Sequence, residues 1–281
     1  MALALSRTFV VDAVNGDDPA ADAHPEPWNA GVAYQSLTAA YKRYLAAPTT
    51  IYCFKFAPGL YQLVLDPLHP TFPKYNKSVC FLGSGSNQTA VEIIGWPSRV
   101  RYAVHLRCAQ LTMLRVDLTM LPAADGVPDA DGTDGQPGGE VKVFGDGSGS
   151  VRVHTIAVPG QRGGNGGTPV NESGTNGGAG GQGGLVELCS CSVGAITSAT
   201  AGDPGLGQGT GIPGVLGLGG TVRAQMCYMR NYTCNFYNAL NRTGTCTVAL
   251  CNRYNWSDNG VGGPELIIGG GDNTTGMWTD F

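Results

Sequence analysis

Seven short apolar segments, each opening on Ile or Val, recur along this chain and restrict what it can become. They start at Ile51 (IYCFKF), Val79 (VCFLG), Val104 (VHLRC), Val141 (VKVFG), Val186 (VELCS), Val222 (VRAQM) and Val248 (VALCN). The starts are 28, 25, 37, 45, 36 and 26 residues apart. The short gaps match one turn of a stacked parallel β-coil, about 22–28 residues in such repeats. The long gaps read as the same turn with loops inserted, at 121–139, 159–184 and 201–220. Each insertion follows a strand pair and ends in Gly-Gly one residue before a Val-led strand. All three should therefore leave the stack at one corner, as insertions in a repeat do. A two-domain chain with a Gly-rich linker would show one such block, not three.

Within the repeats apolar residues alternate. Leu114, Val116 and Leu118 point one way, Arg115 and Asp117 the other. Val151, Val153 and Thr155 repeat the pattern, with Arg152 and His154 outward. In-register stacking would set Arg152 beside Arg115 and His154 beside Asp117, and would place Cys189 and Cys251 in an inward ladder. Ahead of the first repeat, Tyr34, Leu37, Tyr41, Tyr44 and Leu45 follow a helical period. Ser36 is the expected N-cap and Pro48 the stop. A helix this short needs something to cover. The open end of a strand stack is such a surface.

Glycine makes up 44 of 281 residues, about twice the usual share. It clusters in the insertions. Leu206, Ile212, Val215, Leu216 and Leu218 also lie there, which favours ordered extended segments packed on each other or on a neighbour over a flexible linker. A net charge of −4 argues against a nucleic-acid or anionic-membrane partner. The opening MALALSRTFVVDAV reads as neither a secretory signal nor a membrane span. Nine cysteines without a C-x-x-C read chiefly as small buried thiols, with Cys246–Cys251 or Cys227–Cys234 as the disulfide alternatives. Seven N-x-S/T sequons, from Asn76 to Asn273, read as Asn/Thr-rich turns.

VVDAVNGDD followed by YQSLTAAYKRYLAAPTTIYCFKFAPGLYQ resembles the N-terminal cap and first coil of pectin-lyase-like right-handed β-helix proteins. These include pectin methylesterases, polysaccharide lyases and phage tailspikes. The resemblance is carried by residues 9–61 and beyond them only by the coil pattern. The expected fold is all-β: a single-stranded right-handed parallel β-helix, with a short cap helix and Gly-rich insertions at one corner. Residues 1–281 form one domain, with 1–50 as cap, 51–260 as coils and 261–281 as a docking or capping tail.

Enzymes of that family are similar in placing acids and an arginine on one outward strand face. Arg115, Asp117, Arg152 and His154 are the candidates for such a general acid–base patch. The alternative is a surface salt-bridge cluster. Pectin-esterase-type chemistry asks for two neighbouring carboxylates, and Asp117 is the one these paired rungs supply. Asp129, Asp131, Asp134 and Glu140 are spaced as part of a calcium loop, although its glycine falls at the fourth position instead of the sixth. The alternative is a solvated polar loop. The sequence implies no cofactor. Tyr228, Tyr232, Phe236, Tyr237, Tyr254 and Trp256 crowd the C-terminal repeats as an end cap, partner surface or sugar platform.

The leading expectation is a non-enzymatic structural component of a virus particle, a minor capsid, decoration or fibre protein assembled in the host cytoplasm. Its partners would be other virion proteins or copies of itself. The alternatives are an extracellular carbohydrate-active enzyme of the pectin esterase or lyase type, and a glycan- or receptor-binding adhesin.

Overall fold

The structure, a computed structural model, describes residues 7–25, 31–46, 52–65, 71–72, 79–84, 88–147, 150–170, 173–230, 233–235, 245–254, 257–259 and 266–272. It is mostly β, with two parallel sheets and few helices. The first sheet runs, neighbour to neighbour, through Arg7–Val11, Tyr52–Phe56, Val79–Leu82, Ala103–Ala109, Glu140–Gly145, Leu185–Cys189, Thr221–Gln225, Thr245–Tyr254 and Leu266–Asp272. The second runs through Gly59–Leu65, Thr89–Gly95, Met113–Asp117, Arg152–Ala157 and Ser192–Ser198. It continues with Tyr228–Arg230 and Thr233–Asn235. The chain alternates between the sheets, so each strand pairs with one from the circuit before.

The corner between the sheets recurs. Gln88, Gln110, Ser190 and Met226 each occupy it with a positive φ of 51–72°. A single left-handed residue turns the chain sharply. Just past it, Leu111, Val151, Cys191 and Cys227 are buried one above another.

The inward columns follow the sequence pattern. Val104, Val141, Val186 and Val222 are registered neighbours and fully buried. Val79 belongs to the next inward column, with Leu106, Val143, Leu188 and Ala224; Val248 is the registered neighbour of Ala224, and its side chain lies outside the described residues. Ile51 lies outside the described residues. A third inward column, Phe9, Phe54, Phe81 and Cys108, is aromatic at the N-terminal end. Phe9 stacks on Phe54 at 5.4 Å, and Phe54 meets Phe81 edge-on at 5.7 Å.

Helix α2, Leu37–Ala46, covers that end, burying Leu37, Ala40, Tyr41 and Tyr44. Ser36 caps it, its Oγ accepting from Ala39 N at 3.1 Å. The stretch before it holds a further helix, α1, Asp18–Ala23, capped by Asp17. Asp18 ties the two together through Gln35 N and Ser36.

The three insertions leave between second-sheet and first-sheet strands, at one corner, and each goes out and comes back. The result is six extended legs in two layers of three. Within each layer the legs run parallel, linked every third residue. Ala123, Gly126 and Asp129 donate to Arg162, Asn165 and Thr168 carbonyls. Gly160, Gly163 and Gly166 donate onward to Thr200, Asp203 and Leu206. The returning legs repeat this: Gly132, Gly135 and Gly138 to Asn176, Ala179 and Gln182, then Gly177, Gly180 and Gly183 to Ile212, Val215 and Leu218. Antiparallel bonds such as Gly164 N to Thr133 O and Gly178 N to Gly164 O join the layers. A bond period of three is that of the polyproline II helix, which makes no hydrogen bonds of its own and so leaves its backbone for neighbours.

This lattice explains where the glycines fall. Legs of the middle insertion have neighbours on both sides and read GG-x, as in Gly163-Gly164 and Gly166-Gly167. The flanking insertions have fewer neighbours and read closer to G-x-x. A Cβ on Gly178 would lie 2.0 Å from Thr133 O, and one on Gly164 1.9 Å from Ala124 O.

Candidate functional site

On the outer side of the first sheet, His105, Lys142, Glu187 and Arg223 are registered neighbours on four successive strands. Each follows the Val of its inward column, so strand alternation turns all four outward. Glu140, one outward position earlier, completes the row. His105 Nε2 and Lys142 Nζ lie 2.9 and 3.0 Å from Glu140 Oε1. Glu187 takes Lys142 at 3.1 Å on one oxygen and Arg223 at 3.0 Å on the other. Burial alone would raise the Glu140 carboxyl, but the bonds from Lys142 and His105 hold it below its ordinary value. Burial would lower Lys142, yet Glu140 and Glu187 raise it. Along the row Glu140, Lys142, Glu187 and Arg223 form a chain of ion pairs alternating in sign.

The next outward column is Arg107, Phe144, Cys189 and Gln225. Phe144 is 44% exposed. A hollow of about 390 Å³ opens between it and Arg223, with Glu187, Cys189 and Gln225 on its walls. Cys189 thus lies in an outward column, not the inward ladder the sequence pattern implied, because Val186 and Leu188 take the inward positions. The side chain of Cys251 lies outside the described residues.

The second sheet carries a shorter polar column. Gln62, Glu92 and Arg115 are in register, with Gln62 Nε2 donating to Glu92 Oε2 at 3.0 Å and Arg115 3.2 Å from Oε1.

The expected patch of Arg115, Asp117, Arg152 and His154 has a different arrangement. The register shifts by one between Val153 and Thr155. Arg115 therefore pairs with Thr155 and Asp117 with Ala157, and Ile156 instead of Thr155 turns inward. A bulge inserts one residue and moves everything beyond it to the opposite face. His154 sits at the bulge, its Nδ1 2.9 Å from Thr155 Oγ1. Arg152 registers with Ser192, and Asp117 accepts from Thr119 N and Oγ1.

The calcium spacing is not assembled either. Asp129 Oδ1 accepts from Val170 N at 2.6 Å, Asp131 from Asn176 N at 2.6 Å and Asp134 from Ala179 N at 2.7 Å. Their carboxylates reach across to the next leg of the bundle, while Glu140 stands in the strand with His105 and Lys142. Among the described residues no group of three or more His, Cys, Asp or Glu is placed to hold a metal ion.

The aspartates belong to ladders. Asp125 Oδ1 accepts Asn165 N, and Asn165 Oδ1 accepts Leu206 N. Asp131 accepts Asn176 N, and Asn176 Oδ1 accepts Ile212 N at 3.0 Å. Each polar side chain captures an N–H of the following leg. In the third insertion the ladder positions turn apolar. Leu206, Ile212, Val215 and Leu218 are 56–72% exposed and form the bundle's outer edge. Of the aromatic residues singled out near the C-terminus, Tyr228 is described and is 43% exposed; the side chains of the others lie outside the described residues.

Comparison with family models, curated proteins and solved structures gives no match to this chain. Among the described residues no helix is long and apolar enough to cross a membrane.

Proposed function

We propose that this chain is a non-enzymatic structural component of a virus particle. In this reading it is a single-stranded right-handed parallel β-helix of the pectin-lyase-like kind, capped by α2. It acts through protein–protein contacts with other particle proteins or with copies of itself. The observation that carries the reading is the edge of the Gly-rich bundle. Ile212, Val215 and Leu218 stand exposed at every third residue of the returning leg, with Leu206 exposed on the outgoing one, on a backbone-locked lattice, a form that favours docking over flexibility. The ion pairs of Glu92, Glu140 and Glu187 lend support, since each carboxylate is already engaged by a neighbouring Arg or Lys.

The test is incorporation. An Ile212→Asp/Val215→Asp variant should fold with an unchanged Tm and be lost from purified particles that contain the parent chain in stoichiometric amount. Cleavage or de-esterification of pectin by the purified chain, abolished by Asp117→Ala, would overturn the reading. A second reading, a glycan-binding adhesin, is favoured by the exposed Phe144 ring beside Arg223, Glu187 and Gln225, since sugars stack on aromatic faces flanked by polar groups. A glycan array with Phe144→Ala as control tests it, and an array without hits removes it.

A further inference from the structure

Cys53 and Cys80 are registered partners on adjacent parallel strands of the first sheet, directly beneath the cap. Both alternate with core phenylalanines, Phe54 and Phe81, and so share the opposite side of the sheet. Adjacent strands lie about 4.8 Å apart, within the Cα separation that disulfides span, about 4.4–6.8 Å. The two thiols are reduced, and they are buried at 0% and 8% exposure. On the next strand the registered partner of Cys80 is Arg107.

We propose that Cys53 and Cys80 are a latent disulfide, closed by hydrogen peroxide once the protein meets an oxidising environment, which staples the first coil to the second under the cap helix. Cys80 is the attacking sulfur. The hydrogen bond from Cys53 and the Arg107 guanidinium lower its thiol against the opposing effect of burial, while the Cys53 thiol is raised. The Cys80 thiolate attacks one peroxide oxygen, the O–O bond breaks, and one water leaves after protonation. The resulting sulfenic acid is attacked by the Cys53 sulfur. The S–S bond forms, the S–O bond breaks, and the second water carries off the Cys53 proton. Two thiols and one peroxide give one disulfide and two waters, with two electrons passing from sulfur to oxygen.

A second stacked pair supplies the contrast. Cys191 and Cys227 lie one above the other at the corner, at 1% and 2% exposure. Their thiols donate to the carbonyls of Cys189 at 3.2 Å and Gln225 at 3.3 Å, each within its own turn.

The experiment treats the full chain with hydrogen peroxide, alkylates remaining thiols, digests without reduction and maps linked peptides by mass spectrometry. A Cys53–Cys80 linked peptide should form, revert with dithiothreitol and persist in a Cys191→Ser/Cys227→Ser variant. The oxidised chain should melt about 5 °C higher than the reduced chain, as closing a loop of this size predicts after allowance for strain. Recovery of both residues as alkylated thiols after peroxide treatment, linkage of either to a different cysteine, or an unchanged melting temperature would each overturn the proposal.

Discussion

Gly178→Ala is the sharpest test of the backbone lattice. A methyl group at this position would meet Thr133 O at 2.0 Å, Thr133 C at 2.4 Å and Asp134 N at 2.9 Å, all backbone atoms with no rotamer to escape through. Relief requires the leg carrying Thr133 to part from the leg carrying Gly178 by roughly 1 Å, enough to break well-formed hydrogen bonds between them. The bonds lost are Gly135 N to Ala179 O at 2.7 Å and Ala179 N to Asp134 Oδ1 at 2.7 Å, with Gly132 N to Asn176 O at 2.8 Å next in line. At about 1 kcal/mol each, the substitution should cost about 2–3 kcal/mol. Gly31→Ala is the control, because a Cβ there has nothing within 4 Å, and it should change stability by less than about 0.5 kcal/mol. Urea denaturation reads the difference, and hydrogen exchange at the Gly135 and Ala179 amides reads it locally if the bundle opens without the sheets. A Gly178→Ala chain as stable as the Gly31→Ala chain, with both amides still protected, would refute the lattice argument.

Three further outcomes are expected. Phe54→Ala should destabilise the chain by about 3–5 kcal/mol in the same assay, since the ring is fully buried between Phe9 and Phe81. Asp134→Ala should cost about 1 kcal/mol and raise exchange at the Ala179 amide, whose acceptor it removes. Glu140→Gln should cost about 1 kcal/mol at neutral pH. Because the folded-state value of Glu140 is lowered, its contribution is present above the ordinary value of 4.5 and is lost as pH falls through the folded one, so variant and parent should converge in acid. Lys142 is raised, so its share is present below 10.5 and is lost as pH rises through its folded value.

The cap was the most legible part of the chain, because helix capping and the aromatic stripe act within one local segment. Ser36, Leu37, Tyr41 and Tyr44 take the places their spacing implied. The inward columns at Val104, Val141, Val186 and Val222 were legible for the same reason, since each strand declares its own alternation. The charged row was available from that alignment too: His105, Lys142, Glu187 and Arg223 each follow one of those valines. It stayed hidden because no single strand holds more than two of its members, so it exists only once strands are registered. The bulge at His154 was not legible at all. An extra residue in a strand has no compositional mark, and the register ahead of it, with Val153 on Leu114 where Val151 was expected, already parts Arg152 from Arg115. The bundle was half legible. Apolar residues among the glycines indicated order, but the three-residue bond period depends on pairing between insertions about 40 residues apart.

The lattice also sets where this protein can change its sequence. A middle leg uses two of every three residues for close backbone approach and leaves one side chain free. A leg at the edge leaves nearly two. Substitutions should therefore accumulate with a period of three, and most densely in the first and third insertions. A scaffold held by main-chain bonds can exchange its outward side chains, Leu206, Ile212 and Val215 among them, while its geometry stays the same. Such a surface can follow a changing partner without refolding.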